Sequence, residues 1–445
     1  MPRQLHLNLF LMPRGHHESA WRHPDATTRA LTDLELYLGA ARIAEAAKFD
    51  AVFLADALVA QNNGGLVASG ALEPIALLSA LAALTERIGL IGTASTTYSL
   101  PYTLARQFAT LDHLSKGRAG WNIVTSWAPQ AGLNYGRDAD VGHGERYEIA
   151  EDFLQAVDAL WQSFPAGAVL DDRAGGRYFD PAQVAPIHHR GPHWQVQGPL
   201  NVPAGPQGRP VYVQAGQSEQ GRAFAARWAE AIFTAHLTKE SARGFYGDIK
   251  GRAAAYGRRP EELVILPGIS AAIGSTEAEA KRVWEELDDL TSPAIGLARL
   301  SARFGGHDFT GVPLDRPLTR NDFPDPSTVD ASKSRATGYV DLALAEGLTL
   351  RQLLQRLAGA RGHFTATGTP EQVADIIEDW FTAGAADGFN VMPPILYRQF
   401  ELFAEEVVPI LRRRGLFRED YEGTTLREHF GLPPVRQADA LARAV

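Results

Sequence analysis

Cysteine is absent from all 445 residues, which excludes disulfide bonds, thiolate metal sites, iron–sulfur clusters and cysteine nucleophiles. The chain also lacks a basic block: acidic and basic residues are mixed along it, and the formal net charge is -9. This pattern argues against a nucleic-acid partner. The apolar run at 5–11 is too short to span a membrane, and it lacks the small-residue cleavage site of a signal peptide. We therefore expect no membrane segment, no signal peptide and a cytoplasmic location.

Apolar runs of strand length alternate with amphipathic stretches along most of the chain. Eight such runs lie near residues 5, 50, 88, 120, 211, 231, 265 and 389, and each precedes at least one helical pattern. The runs are apolar throughout, as is typical of parallel strands that helices cover on both faces. The sequence therefore predicts an α/β fold, a (β/α)₈ TIM barrel, in preference to an open doubly wound sheet.

Two segments are too long to be simple connections between barrel elements. One, at about 164–207, is rich in Gly, Pro and His, and the other, at about 292–363, includes a helical stretch around Leu342–Leu357. Long loops on a barrel often serve as lids or subunit contacts. We expect one domain over 1–445 with these two insertions, and the second insertion is a candidate lid.

Polar residues follow two neighbouring predicted strands, Ile88–Ala94 and Trp121–Val124. These residues are Thr93, Ser95, Thr96, Thr97, Asn122, Thr125 and Ser126. Because ligands bind at the carboxyl ends of parallel strands, the pattern predicts a site that hydrogen-bonds a polar, ring-shaped ligand. From spacing alone, an equally good reading is that these residues only begin the following loops.

Three other places along the chain carry candidate ligand-binding groups. Asp56 follows the second strand, where it either faces the barrel mouth or caps the next helix. His143 and Tyr147 share one face of a helix start, where they could hold a phosphate or a carbonyl, or simply be surface residues. Gly216 permits close backbone approach, and Ser218 is placed as a helix N-cap whose surroundings suit a phosphate.

A cluster of histidines, His16, His17 and His23, follows the first strand. Metal binding is the sharp alternative here, but no carboxylate or further histidine falls nearby at the spacing of metal ligands. We therefore predict no metal site.

Several long motifs occur in order along nearly the whole chain. They include KFDAVFLAD at 48–56, LARQFATLDHLSKGRAGWNIVTS at 104–126, HGERY at 143–147, PVYVQAGQSEQG at 210–221 and VVPILRRRGLFREDYEGTTLREHFGL at 407–432. In these motifs the chain resembles the nitrilotriacetate and dibenzothiophene-sulfone monooxygenases, within the bacterial-luciferase-like flavin enzymes. The resemblance implies a (β/α)₈ barrel with insertions, in agreement with the strand count.

The resemblance also implies a reaction. Enzymes of this kind use reduced FMN from a separate NADH- or NADPH-dependent flavin reductase. The flavin reacts with O₂ to give a C4a-peroxide, which transfers one oxygen atom to a small organic substrate. A homodimer or homotetramer is the corresponding expectation for assembly. The substrate itself is left open, because the family spans many kinds of small molecule.

Site residues follow from the same resemblance, position by position. The implied cofactor-binding residues are Asp56, Ser95, Asn122, Ser126, His143, Tyr147, Gly216 and Ser218. The first four are expected around the isoalloxazine ring, and the last four at the ribityl phosphate. Near the reactive face, His17 and Asn122 are the expected catalytic residues, with His17 assisting proton transfer. Whether His16 or His17 points inward stays open.

Two alternatives retain the barrel. A deazaflavin-dependent oxidoreductase would transfer hydride in place of oxygen, and a non-catalytic relative would only bind flavin. The HGERY and QAGQSEQG motifs favour FMN. The full-length insertions argue against a mere binder, which has no need of a lid.

Overall fold

The structure, a computed structural model, describes residues 3–60, 65, 68–126, 129–137, 141–325, 333–360 and 362–435. Its strands are β1 (His6–Phe10), β2 (Ala51–Leu54), β3 (Gly89–Ser95), β4 (Ala119–Val124), β5 (Val169–Asp172), β6 (Arg177–Phe179), β7 (His189–Arg190), β8 (Gln195–Val196), β9 (Val211–Gln214), β10 (Ala231–Thr234), β11 (Val264–Ile273), β12 (Phe364–Gly368) and β13 (Gly388–Val391).

The helices are α1 (Leu34–Ala46), α2 (Pro74–Leu84), α3 (Pro101–Leu114), α4 (Pro129–Asn134), α5 (His143–Gln162), α6 (Glu219–Trp228), α7 (Lys239–Ala255), α8 (Glu277–Asp289), α9 (Pro293–Arg303), α10 (Lys333–Glu346), α11 (Leu350–Ala360), α12 (Pro370–Thr382), α13 (Arg398–Leu402), α14 (Val408–Arg413) and α15 (Leu426–His429). A π-helical turn, Phe403–Val407, joins α13 to α14. None of the helices described is long and apolar enough to cross a membrane.

Eight parallel strands close into a barrel in the order β1, β2, β3, β4, β9, β10, β11, β13 and back to β1. This confirms the predicted (β/α)₈ barrel and its eight strand positions. The structure adds a ninth strand that the sequence analysis missed, since β12 pairs with the outer half of β11, from Ile269 to Ile273. Its sequence, FTATG, alternates threonine with other residues and is not an apolar run, so nothing in its composition marked it as a strand.

Inward and outward side chains alternate along the barrel strands, yet both faces are buried, which explains the continuous apolar runs. Outward residues such as Trp121 pack under the helices. The inward cluster includes Phe10, Phe53, Ile91, Val213, Phe233 and Met392. Leu426 and Phe430, at α15, belong to the same inward cluster, so the C-terminal segment packs against the barrel interior.

The insertion at 164–207 forms two small hairpins, β5–β6 and β7–β8. The buried carboxylate of Asp152, on α5, ties it to the barrel. It accepts hydrogen bonds from His189 Nε2 (2.6 Å) and from the backbone N–H groups of His193 and Trp194 (both 2.8 Å). These charge-assisted bonds explain how a segment rich in Gly and Pro keeps a fixed position.

The insertion at 292–363 contains α9, α10 and α11, which share their own apolar core. That core includes Leu300, Phe304, Phe309, Leu318, Phe323, Tyr339, Val340, Leu350, Leu353 and Leu354. The single helical stretch predicted around Leu342–Leu357 is wrong. Gly347, with a φ of 61°, breaks it between α10 and α11, because that left-handed conformation suits glycine and ends a helix.

Candidate functional site

Two adjacent strand ends, those of β3 and β4, bring Thr93 and Asn122 together in register. Asn122 Nδ2 donates to Thr93 Oγ1 (2.9 Å), and the threonine hydroxyl donates to the Leu54 carbonyl (2.8 Å). The Asn122 Oδ1 atom is buried and has no hydrogen-bond partner within the described part of the chain. A buried amide oxygen without a donor costs about 1–3 kcal/mol, so this atom fits the N–H or O–H group of a bound ligand.

One residue further along each strand end, two hydroxyl groups meet. Ser126 Oγ donates to Ser95 Oγ (2.8 Å), and Ser95 Oγ also accepts the backbone N–H groups of Thr97 (3.2 Å) and Tyr98 (3.3 Å). The structure therefore brings together four of the polar residues singled out in the sequence. We call Thr93, Ser95, Asn122 and Ser126 the wall.

A tight approach of backbone and tyrosine lies at the start of α6. A Cβ atom on Gly216 would meet Gln214 Nε2 at 2.5 Å and Tyr147 Oη at 2.8 Å, and one on Gly221 would meet the same hydroxyl at 2.8 Å. Ser218 caps α6 by accepting the Gly221 N–H (3.1 Å). Any side chain at Gly216 would fill this space, which explains why glycine stands there.

The N-terminus of α5 lies beside that of α6, since a Cβ on Gly144 would come within 3.7 Å of Gln220 Nε2. The first residue of α5, His143, stacks its ring 5.3 Å from that of Tyr147. Helix N-termini present unpaired N–H groups and a positive dipole end, the usual setting for a phosphate. We call His143, Tyr147, Gly216, Ser218 and Gly221 the cradle; it contains all four predicted phosphate-side residues.

Asp56 follows β2 and accepts the N–H of Ala57 (2.8 Å). The alternative that it caps the next helix is wrong, because Glu73 caps α2 by accepting the N–H groups of Ile75 and Ala76. Partial burial raises the pKa of the Asp56 carboxyl, the Ala57 N–H opposes this shift, and the Glu73 carboxylate adds to it. Asp56 makes no hydrogen bond to the wall within the residues described.

The two adjacent histidines after β1 point in different directions. His16 Nε2 lies 2.8 Å from the Phe10 carbonyl, and its ring lies 4.5 Å from that of Phe10, which faces the barrel interior. His17 instead accepts the Ser19 N–H at Nδ1 (3.1 Å) and directs Nε2 towards Asp288 of α8, at 3.5 Å. The predicted neighbour of the flavin, His17, therefore lies against α8, and His16 is the inward-facing histidine.

Residues 15–25, which we call the strap, attach the end of β1 to α8 and α9. Glu18 forms an ion pair with Arg299, Ser19 Oγ lies 3.3 Å from Thr291 Oγ1, and His23 Nε2 lies 3.1 Å from Glu286. Their partners lie more than 250 positions away in the sequence, so spacing within the histidine cluster could not reveal them. The described residues contain no group of three or more potential metal ligands.

Two groups of the site were missed in the sequence analysis. Gln214 ends β9 and accepts the Gly216 N–H at Oε1 (2.7 Å), which fixes the turn into the cradle. Gly221 packs against Tyr147. An amide directly at a strand end, as in VYVQAG, was the available signal for the first.

Residues 16–387 match the family described as luciferase-like monooxygenase. The chain is 46% identical over 430 residues to N-acetyl-S-(2-succino)cysteine monooxygenase of Bacillus subtilis (strain 168), with 97% of each chain covered. It is also 46% identical over 442 residues to nitrilotriacetate monooxygenase component A of Aminobacter aminovorans, again with 97% of each covered. A solved structure of riboflavin lyase (RcaE), with modified FMN and riboflavin, is 32% identical, covers 99% of both chains and has a TM-score of 0.87.

Proposed function

The chain belongs to the luciferase-like monooxygenase family, and on that premise we propose that it is the oxygenating part of a two-component system. In this proposal a separate NAD(P)H-dependent flavin reductase supplies reduced FMN. The chain uses it with O₂ to insert one oxygen atom into a small organic substrate, and the second oxygen atom leaves as water. The relative named component A supports this division of labour.

The observation that carries the choice of FMN is the cradle. Two helix N-termini, the capping Ser218 and the Tyr147 hydroxyl surround a backbone turn that only Gly216 fits. Such a set of donors suits a terminal phosphate. In our proposal His143, Tyr147, Gly216 and Ser218 hold the phosphate. Asp56 and the wall residues Ser95, Asn122 and Ser126 contact the isoalloxazine ring.

Reduced FMN, when bound, supplies the electrons that activate O₂. The protein's part is binding, orientation and exclusion of water. Thr93 holds the Asn122 amide so that its free Oδ1 accepts from the ring. The insertion of α9–α11 serves as the lid. The predicted proton-transfer role of His17 stays a hypothesis, and His16, which faces the interior, competes with it.

We also propose a cytoplasmic location, one domain with two insertions, and a homodimer or homotetramer. The chain's substrate is a small organic molecule whose identity is open. Two relatives of equal identity act on different substrates by name, so identity alone does not choose between them.

The test is an anaerobic titration with reduced FMN, oxidised FMN and a reduced deazaflavin, followed by mixing with O₂ and candidate substrates. Nitrilotriacetate and N-acetyl-S-(2-succino)cysteine are the first substrates to try. We expect the tightest binding for reduced FMN and substrate-dependent oxygen uptake with little hydrogen peroxide. Preference for the deazaflavin would favour hydride transfer. Flavin binding without oxygenation of any substrate would favour the non-catalytic alternative.

A further inference from the structure

A second cavity, of about 340 Å³, lies between α8, α11 and β12, the strand outside the closed barrel. Its walls include Trp284, Asp288, Glu346, Arg356, Thr365 and Thr367. None of these residues belongs to the wall or the cradle. The cavity is of a size that holds a small molecule, and the proposed oxygenation gives it no role.

The charges that line this cavity leave one carboxylate without a cation. Arg356 is already paired with Glu346, with Nη2 at 3.0 and 3.2 Å from the two carboxylate oxygens. Asp288 faces only His17, whose buried Nε2 lies 3.5 Å away and has no hydrogen-bond partner among the described residues. Because His17 Nδ1 accepts the Ser19 N–H, the ring carries its proton at Nε2 and is neutral. Asp288 therefore keeps its negative charge largely uncompensated.

An indole ring stands beside that carboxylate. Trp284 precedes Asp288 by four residues on α8, so both side chains lie on one helix face. The ring is held in place, since Nε1 donates to the Ala366 carbonyl (3.4 Å) and a Cβ on Gly359 would meet the ring at 3.0 Å. A fixed indole next to a carboxylate attracts organic cations, through the ring quadrupole and the negative charge together.

We propose that this cavity binds a small organic cation, an alkylammonium or guanidinium compound, between Trp284 and Asp288. The hydroxyl groups of Thr365 and Thr367 line the opposite strand and provide hydrogen-bond acceptors for the same N–H groups. The site is separate from the flavin site, and it stands whether or not the proposed oxygenation is correct.

The probe is agmatine, which carries an ammonium and a guanidinium group, and 1,5-pentanediol is its neutral control. Isothermal titration is carried out on the full chain and on Asp288→Asn, Trp284→Leu and Asp289→Asn. The last of these removes the same charge from an exposed position on the same helix. We expect one agmatine per chain, affinity about tenfold lower in Asp288→Asn and about threefold lower in Trp284→Leu, and no change in Asp289→Asn.

Absence of agmatine binding to the wild-type chain would overturn the proposal. So would equal binding of the diol, or equal losses in Asp288→Asn and Asp289→Asn, which would indicate general surface charge. Thermal unfolding establishes that each variant is folded. Should Trp284→Leu fail to fold, the nearly isosteric Asp288→Asn decides by itself.

Discussion

On the β3–β4 side of the barrel, Asn122 holds a buried amide oxygen that no described residue satisfies. On the β1 side, the strap turns its polar groups towards α8 and α9, where Glu18 meets Arg299 and His23 meets Glu286. In the sequence both regions are polar residues just after a barrel strand. The difference teaches that such a signal marks a ligand site only where the polar atoms remain unused by the protein. Changes in the wall and cradle should therefore affect flavin binding, and changes in the strap should affect stability.

The largest effect is expected at the cradle, from Gly216→Val. The new side chain would occupy the space of Gln214 Nε2 and Tyr147 Oη, where the phosphate is proposed to bind. We expect affinity for reduced FMN to fall about a hundredfold, about 2.7 kcal/mol, in an anaerobic titration. Gly247→Val, on α7 with open space around it, is the control. Unchanged affinity in Gly216→Val would remove the phosphate from the cradle.

The next effect concerns the strap, and it is one of stability. Arg299→Ala leaves the Glu18 carboxylate, whose side chain is 1% exposed, without its cation. A buried charge that loses its partner is costly, so we expect a loss of about 2 kcal/mol in the free energy of unfolding by urea. Arg356→Ala breaks an exposed pair with Glu346 and should cost about 0.5 kcal/mol or less. A large loss of flavin affinity in Arg299→Ala would blur the distinction between strap and wall.

A smaller effect, of opposite character, is expected at the wall. Asn122→Leu removes the unpaired Oδ1 together with the bond to Thr93, so stability should change little. We expect affinity for reduced FMN to fall about tenfold, about 1.4 kcal/mol. Thr97→Val is the contrasting variant, because the Thr97 hydroxyl is already used by the Thr125 carbonyl (2.8 Å).

Thr97→Val should lose about 1 kcal/mol of stability and keep its flavin affinity. The reverse pattern, with Asn122→Leu unstable and Thr97→Val weak in binding, would invert our assignment of ligand-facing and structural groups.

The fold could be predicted because it rests on local signals. The apolar runs that become β3, β4 and β11 are buried on both faces, so composition alone placed them within a residue or two. The cradle was also accessible, since Ser218 and His143 stand at helix starts that the sequence marks. β12 escaped detection because its burial comes from pairing with β11, a contact made 90 residues away in the chain.

The strap was the part of the site that sequence reasoning could not resolve. Which of two adjacent histidines faces the barrel depends on what each meets in space. His17 meets Asp288 and Trp284, and His16 meets Phe10. The carboxylates of α8 that receive the strap carry no mark in the sequence that links them to β1. Only the tertiary structure distinguishes paired from unpaired polar groups.

The smallest effect is expected at His17, and it decides between the two histidines. In His17→Asn the new Oδ1 can still accept the Ser19 N–H, and only the long contact to Asp288 is lost. We expect a loss of about 1 kcal/mol or less in stability. The ratio of substrate oxygenation to hydrogen peroxide release should stay within about twofold of wild type, since a contact removed outside the reacting centre leaves transition-state binding intact. His16→Asn, on the interior side beside Phe10, should lower that ratio. A drop in His17→Asn with none in His16→Asn would return the proton-transfer role to His17 and would require the strap to open during turnover.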